Sequence, residues 1–429
     1  MSCDLASRQG RNTTRIHPLI ASLIACALLA PARAADAPPL TLTRALELAI
    51  ASDPLAASYA ARRDAALARA ESRSGLPAPE LTLGVENVPT GSFALDAEDM
   101  TMVTVGLRQA LPAWGMRGAE RSAAERMADA ETAAAAERTA ALRRMVRQRF
   151  ALVAAAEALT IVVTAELPRA RAALDAAQAA YAAGTALQSE LAEARLFLAE
   201  LLEEQLRARS EREMARAELG ELIGTAPAAE PLADAEPGAV AVLSELQAAL
   251  SAHPLLAMDD ARATAAEAEA EAARAARRPE WMLDLRYGLR SGNDMGGMPR
   301  DDMVSAMVGI TLPFGARARG AERASGAEAR ALRAERSDRA RELAARLGSV
   351  AARHAALLEI EQLYAASTIP AAELNRDAAL REFGAARAGY SRVAQSQRMR
   401  LEVERKRIAV TAERRLAAAE LLYLDGRQP

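Results

Sequence analysis

The chain is written twice, and that repetition limits its fold more than any other feature. Leu46-Glu47-Leu48-Ala49-Ile50-Ala51-Ser52-Asp53-Pro54 returns as Leu246-Gln247-Ala248-Ala249-Leu250-Ser251-Ala252-His253-Pro254, an offset of 200. Pro79-Glu80 returns as Pro279-Glu280 at the same offset, and Leu111-Pro112 as Leu312-Pro313 at 201. Arg117-Gly118-Ala119-Glu120-Arg121 is repeated letter for letter as Arg319 to Arg323, an offset of 202. Pro168 then matches Pro370, Tyr181 matches Phe383 and Gly224 matches Gly426, all at 202. The offset drifts only twice, as small loop insertions would make it. Self-similarity of this kind marks a supersecondary unit used more than once. It predicts two repeats, 41–224 and 240–426, joined by a Pro- and Gly-bearing linker at 225–239.

Each repeat has the same internal order. First comes a helix, Thr43 to Ser74 and then Leu243 to Arg278, with capping residues at Thr43 and Ser244. Two strand-like runs follow. Two very long helical stretches close the unit, Arg117 to Leu167 and Arg169 to Ile223, with counterparts Arg319 to Ile369 and Ala371 to Leu424. Neither Gly nor Pro interrupts Ala119 to Leu167, so a helix of about 50 residues, roughly 75 Å, is expected there. Such helices pack as coiled coils or helical barrels, and Ala-rich faces permit close approach. Aromatic residues are only 3% of the chain, which suits thin helices better than a broad globular core.

The strand runs alternate. Leu81, Leu83 and Val85 alternate with Thr82, Gly84 and Glu86, and Val103, Val105 and Leu107 with Thr104, Gly106 and Arg108. In the second copy Leu283, Leu285 and Tyr287 alternate with Asp284, Arg286 and Gly288, and Val304, Ala306 and Val308 with Ser305, Met307 and Gly309. Period 2 with a polar opposite face is the pattern of a transmembrane β-strand, and also that of a soluble hairpin with one buried face. Leu83, Leu285 and Val308 are expected to face lipid and Asp284 and Arg286 the lumen. The only tryptophans, Trp114 and Trp281, sit at the ends of these runs with Phe314 nearby, as an interfacial girdle would place them. Four strands cannot close a barrel, and lipid tolerates no open edge. The membrane reading therefore requires several chains to share one barrel.

The N-terminus reads as an address. Arg8, Arg11 and Arg15 precede the apolar run Leu19 to Ala30, and Ala32-Arg33-Ala34 offers a cleavage site. A signal peptide at 1–34 is expected. The alternative is a lipobox, Leu23-Ile24-Ala25-Cys26, lipidated at Cys26. The only cysteines, Cys3 and Cys26, lie in this leader. No later run of about 18 apolar residues is apparent, so no transmembrane helix is expected. With 54 basic and 57 acidic side chains, a net charge of −3, nucleic-acid binding has no support.

A leader followed by two repeats of helix, strand, strand, long helix and long helix, with a Gly-tipped break after Tyr181, resembles the TolC outer-membrane efflux family. The resemblance covers nearly all of the mature chain. It implies a mainly α fold with a small β part: a trimeric α-barrel of long helices and a shared 12-stranded transmembrane β-barrel, four strands per chain. It implies an outer-membrane exit duct of a tripartite efflux system, its helices in the periplasm. The expected partners are two further copies of the chain, a periplasmic adaptor, an inner-membrane RND-type pump and outer-membrane lipid. Pro79-Glu80-Leu81 through Glu86-Asn87-Val88-Pro89, and Asp302-Met303-Val304 through Leu312-Pro313-Phe314, resemble the heavy-metal branch, CzcC- and CusC-like, and imply heavy-metal cations as cargo. Drug efflux, type I secretion and an exported coiled-coil rod are the alternatives. The family's gate lies at the turns between paired long helices. Matching from Tyr181 to Gly184 puts Glu190 and Glu193 at the acidic gate positions, and Arg392 and Gln395 at their second-copy equivalents. One arrangement would pair Glu190 with Arg392.

No convergent set of reactive side chains is visible, so neither an enzyme nor a cofactor is expected. His253 precedes a repeated turn, and His354 falls in a long helix at an expected surface position. Met295, Met298, Met303 and Met307 gather around the second hairpin. Thioethers suit Cu(I), but such residues are more often loop fillers and strand positions, and they are not assigned as ligands.

Overall fold

The computed structural model describes residues 39–233, 235–385 and 387–427. The expected leader, with Cys26 and its cleavage site, lies outside the described residues. The first half contains α1 (Leu42–Ser52), α2 (Pro54–Ser74), β1 (Glu80–Glu86), β2 (Met102–Leu111), α3 (Met116–Ala182) and α4 (Gln188–Ile223). A single turn, α5 (Thr225–Ala228), follows. The second half contains α6 (Leu243–Ala249), α7 (Pro254–Ala275), β3 (Glu280–Leu289), β4 (Met303–Thr311), α8 (Ala316–Leu363), α9 (Ile369–Gly384) and α10 (Tyr390–Leu424).

Four expected boundaries differ at prolines. The opening helix of each half is two helices. Pro54 and Pro254 hold the preceding residue in extended conformation, and Asp53 and His253 then cap the next helix through the backbone N–H of Leu55 and Leu255. A 3-10 turn, Leu250–Ala252, precedes the second of these breaks. The long helices, by contrast, do not break at their prolines. Pro168 lies inside α3, which runs on for 67 residues, about 100 Å at the usual rise. Before Pro370 the backbone widens into a π turn, Tyr364–Thr368. That turn accommodates a ring that would clash with the carbonyl four residues back. The true breaks come later, at 183–187 and 385–389.

Among the described residues, α3 alone holds an 18-residue window apolar enough to cross a membrane by length and composition, with mean hydropathy 1.9. This corrects the expectation of none. The helix is apolar on several faces because it packs against α2, α4, α7 and α10 together. Its Glu157 and Glu166 are ion-paired to Arg216 and Arg400.

Small cores follow one another along the rod. Leu40, Ala45, Phe150, Val153 and Leu219 pack in the first half. Leu246, Leu256, Leu343 and Leu424 form a separate cluster in the second. Farther along α3, Val163, Leu167, Phe197 and Leu201 meet, and at the far end Ala177, Ala194, Tyr390 and Val393 do. Alanine at so many contacts lets the helices approach closely, and few aromatics are needed.

The strands form one antiparallel sheet in the order β1-β2-β3-β4. Leu83, Val105, Tyr287 and Val304 stand in one row across it, and Leu81, Leu107, Leu285 and Ala306 in another. This face is apolar and open, with Leu83 75% exposed. The opposite face carries Glu80, Glu86, Arg108, Asp284 and Arg286. Asp284, only 4% exposed, accepts from Arg108 and Arg286 at 3.0–3.2 Å, and Arg286 also donates to Glu86 at 3.0 Å. Trp114, Trp281 and Phe314 are all exposed at the helix-side end of the sheet. At the other end Arg300 ties the two hairpin loops together by donating to the carbonyls of Asp96, Glu98 and Ser291.

Candidate functional site

The ends of the long helices farthest from the sheet bring α4 and α10 side by side. Glu190 is the third residue of α4, and its Oε2 accepts the backbone N–H of Leu187, which caps its own helix, at 3.1 Å. Its Oε1 accepts the backbone N–H of Tyr390, the first residue of α10, at 3.1 Å. One carboxylate thus serves two helix N-termini, where unpaired N–H groups and the helix dipole both favour negative charge. The third residue of α10 is Arg392, a side chain with no acceptor, so α10 cannot cap itself in the same way. Gly389 completes the fit: a Cβ there would lie 2.1 Å from Glu190 Oε1.

Glu193 faces the same helix. It accepts from the Ser391 hydroxyl and from Arg398 Nη1, the latter at 3.4 Å. Arg398 also donates to Glu200 at 3.1 Å and lies over the Phe197 ring, 5.3 Å from its centroid. Tyr390 is buried, 1% exposed, and burial raises the pKa of its hydroxyl, which has no partner among the described residues. It packs edge-on against Phe383.

The structure therefore joins Glu190 and Glu193 to α10 but does not pair Glu190 with Arg392. Arg392 turns to Asn375 Oδ1 at 3.1 Å, and Gln395 is exposed. Sequence reasoning missed Tyr390, Ser391 and Arg398. The available signal was the change of sign between equivalent positions, Glu190 and Arg392, next to a glycine.

The two histidines occupy structural positions. His253 is fully buried, and its Nδ1 accepts from Leu255 N–H at 3.1 Å. Nε2 must then carry the proton and donate to the Tyr423 carbonyl at 3.0 Å. Burial lowers its pKa. His354 is half-buried instead of lying on the surface, and desolvation lowers its pKa too. Among the described residues no group of three or more His, Cys, Asp or Glu is arranged to hold a metal ion.

The model of the outer membrane efflux protein family matches residues 45–225, which take in nearly all of α1 to α4. The second half repeats the same elements in the same order. Over that first half the chain is similar to the outer membrane efflux protein family. Several solved membrane proteins share its fold. The outer membrane protein VceC of Vibrio cholerae is 18% identical, with a TM-score of 0.74 over 90% of this chain and 96% of its own. CusC, a protein described as forming a transmembrane channel, is 15% identical, with a TM-score of 0.74 over 90% and 91%. A membrane protein of Pseudomonas aeruginosa is 20% identical, with a TM-score of 0.72 over 90% and 93%. No curated protein matches the chain in sequence.

Proposed function

We propose that three copies of this chain build one exit duct through the outer membrane, their sheets closing a 12-stranded barrel and their helices extending into the periplasm. The observation that carries this reading is the sheet itself. β1 and β4 each have one unpaired edge among the described residues, the apolar face is open along all four strands, and the aromatic residues gather at one end. In lipid such edges must be paired, and another copy of the same chain supplies the complementary strand. The exported leader expected at 1–34 agrees with that destination.

In this reading the junction of Glu190 and Glu193 with α10 is the periplasmic gate, where an adaptor and an inner-membrane pump would engage. Arg392 and Gln395 lie beside it. Heavy-metal cations are the proposed cargo, supported by the strand-flanking segments noted above. Sizing in detergent should report three chains, and the reconstituted protein should conduct ions across a planar bilayer. A folded monomer with no conductance overturns the proposal.

A further inference from the structure

The register of the sheet sorts its methionines. Glu86 stands opposite Met102, Gly288 opposite Met303, Met282 opposite Gly309, and Asp284 opposite Met307. Residues directly opposite share a face, so Met102, Met282, Met303 and Met307 all lie on the charged face. The apolar face has none, being built from Leu, Val, Ile, Trp and Tyr apart from Gln109 and Ala306. Conversely, the charged face carries no Leu, Val, Ile or aromatic residue within the paired strands. A need for apolar filling would have drawn on those residues as well. Half of the chain's 14 methionines fall within 100–111 and 280–311, so the enrichment belongs to this sheet and its loops.

Glycines clear space for them. A Cβ on Gly288 would lie 2.6 Å from Met102 Sδ, and Gly288 is itself opposite Met303. A Cβ on Gly309 would lie 3.2 Å from Met282 Cε, and Met307 is two residues along the same strand. The thioethers thus form two pairs, each beside a bare stretch of backbone. Met102 and Met303 stand on β2 and β4, on either side of β3, but Met102 Sδ already reaches over Gly288, one strand spacing of about 4.8 Å from Met303; Met282 and Met307 are diagonal neighbours on β3 and β4. Methionine has three rotatable bonds, so one ion is within reach of both sulfurs of a pair. The carboxylates of Glu80, Glu86 and Asp284 on this face are already taken up by Arg108 and Arg286. Thioether sulfur selects soft monovalent ions and offers little to hard or borderline divalent ones.

We propose that the charged face of the sheet is a transit site for soft monovalent metal ions, Cu(I) or Ag(I), carried by the Met102–Met303 and Met282–Met307 pairs. This rests on the reading of the chain as a duct whose lumen that face lines, and it narrows the cargo to soft cations. Three copies would set three such pairs around the lumen at each of two levels.

The test uses the full trimeric protein in detergent and Ag(I), which needs no reductant. Ag(I) affinity should fall at least tenfold when Met102, Met282, Met303 and Met307 are all changed to Leu, which keeps volume and apolarity. Changing the loop residues Met295 and Met298 to Leu should alter it less than twofold. Zn(II) should bind the two proteins equally. In the unaltered protein, Ag(I) should protect the four wall methionines from peroxide oxidation, read residue by residue by mass spectrometry, so the idea stays testable if the quadruple variant misfolds. Equal Ag(I) affinity in folded quadruple variant and parent, or oxidation unaffected by Ag(I), overturns the proposal. Trimer formation and K⁺ conductance of the unaltered protein are read in the same samples. If both persist, only the metal site fails, whereas their absence removes the duct reading itself.

Discussion

Glu190 holds the first backbone N–H of α10, that of Tyr390, at 3.1 Å while its other oxygen caps its own helix at the same distance. Two helix starts, one from each half of the chain, depend on a single carboxylate. Replacing it by Ala leaves both N-termini uncapped, at about 1 kcal/mol each, or up to roughly 2 kcal/mol together. If the junction is the closed gate, Glu190→Ala should raise the open population on the order of tenfold or more. Single-channel recordings in planar bilayers read this directly, and closed-state occupancy equal to the parent would separate the junction from gating.

Gly389→Ala tests the same contact without touching charge. The added methyl would stand 2.1 Å from Glu190 Oε1, so the carboxylate must leave Tyr390 while its cap on Leu187 can remain. The variant should leak, though less than Glu190→Ala. Crosslinking of cysteines placed at exposed positions on α4 and α10 should weaken in parallel. Unchanged crosslinking and conductance would mean that the carboxylate finds an equivalent position.

Arg392 predicts the opposite result. Its partner is Asn375 at 3.1 Å, in an exposed setting, and such contacts are worth little. Arg392→Gln should therefore change closed-state occupancy less than twofold, and its effect should add to that of Glu190→Gln. A double variant no leakier than the worse single one would show that the two side chains do interact, across protomers.

How much of this was legible in the sequence depended on the range of the interaction. Period-2 alternation is local, so Leu83, Leu285 and Val308 could be assigned to the apolar face and Asp284 and Arg286 to the other. Proline misled in both directions: the expected opening helices ran straight through Pro54 and Pro254, while the long helices were expected to end at Pro168 and Pro370. Pro54 and Pro254 do end a helix, because a capping side chain precedes each, whereas Pro168 and Pro370 ride within long helices whose packing outweighs one lost hydrogen bond. The Glu190 contact joins residues 200 apart in the chain, and no local pattern reports it. The offset alignment came closest, because it set Arg392 where a second carboxylate would be expected. It could not show that the first carboxylate serves both helices.

The sheet offers a test between adjacent residues of one strand. Ser305 lies on the charged face opposite Arg286, and Ala306 on the apolar face opposite Leu285. Arginine at a lipid-facing midplane position costs about 2–4 kcal/mol, while lumen positions tolerate it. Ala306→Arg should reduce the yield of folded trimer severely, and Ser305→Arg should assemble near the parental level. Heat-modifiable migration on gels compares the two. Equal losses would contradict the assignment of the faces to lipid and lumen.

His253 should make the fold sensitive to acid. It caps α7 through Nδ1 and reaches the Tyr423 carbonyl through Nε2, an arrangement that only the neutral ring can make. Arg144 lies over the Tyr423 ring, 4.3 Å from its centroid, and its charge also disfavours a protonated His253. Glu137 accepts from the Tyr423 hydroxyl at 3.2 Å, and Glu420 is bound by Arg346 at 2.8 Å. Burial is the main cause of the lowered pKa, so the unfolded chain takes up a proton more readily than the folded one. The stability from His253 is therefore complete above its ordinary value of 6.5 and is lost as the pH falls from there toward the lower folded value. Thermal unfolding of the trimer should shift downward between pH 7.5 and 5. His253→Asn keeps a capping oxygen for Leu255 N–H and removes the titration, so its melting temperature should fall less over the same range. A parent and variant with parallel pH profiles would place the acid sensitivity elsewhere, with the half-buried His354 as the next residue to substitute.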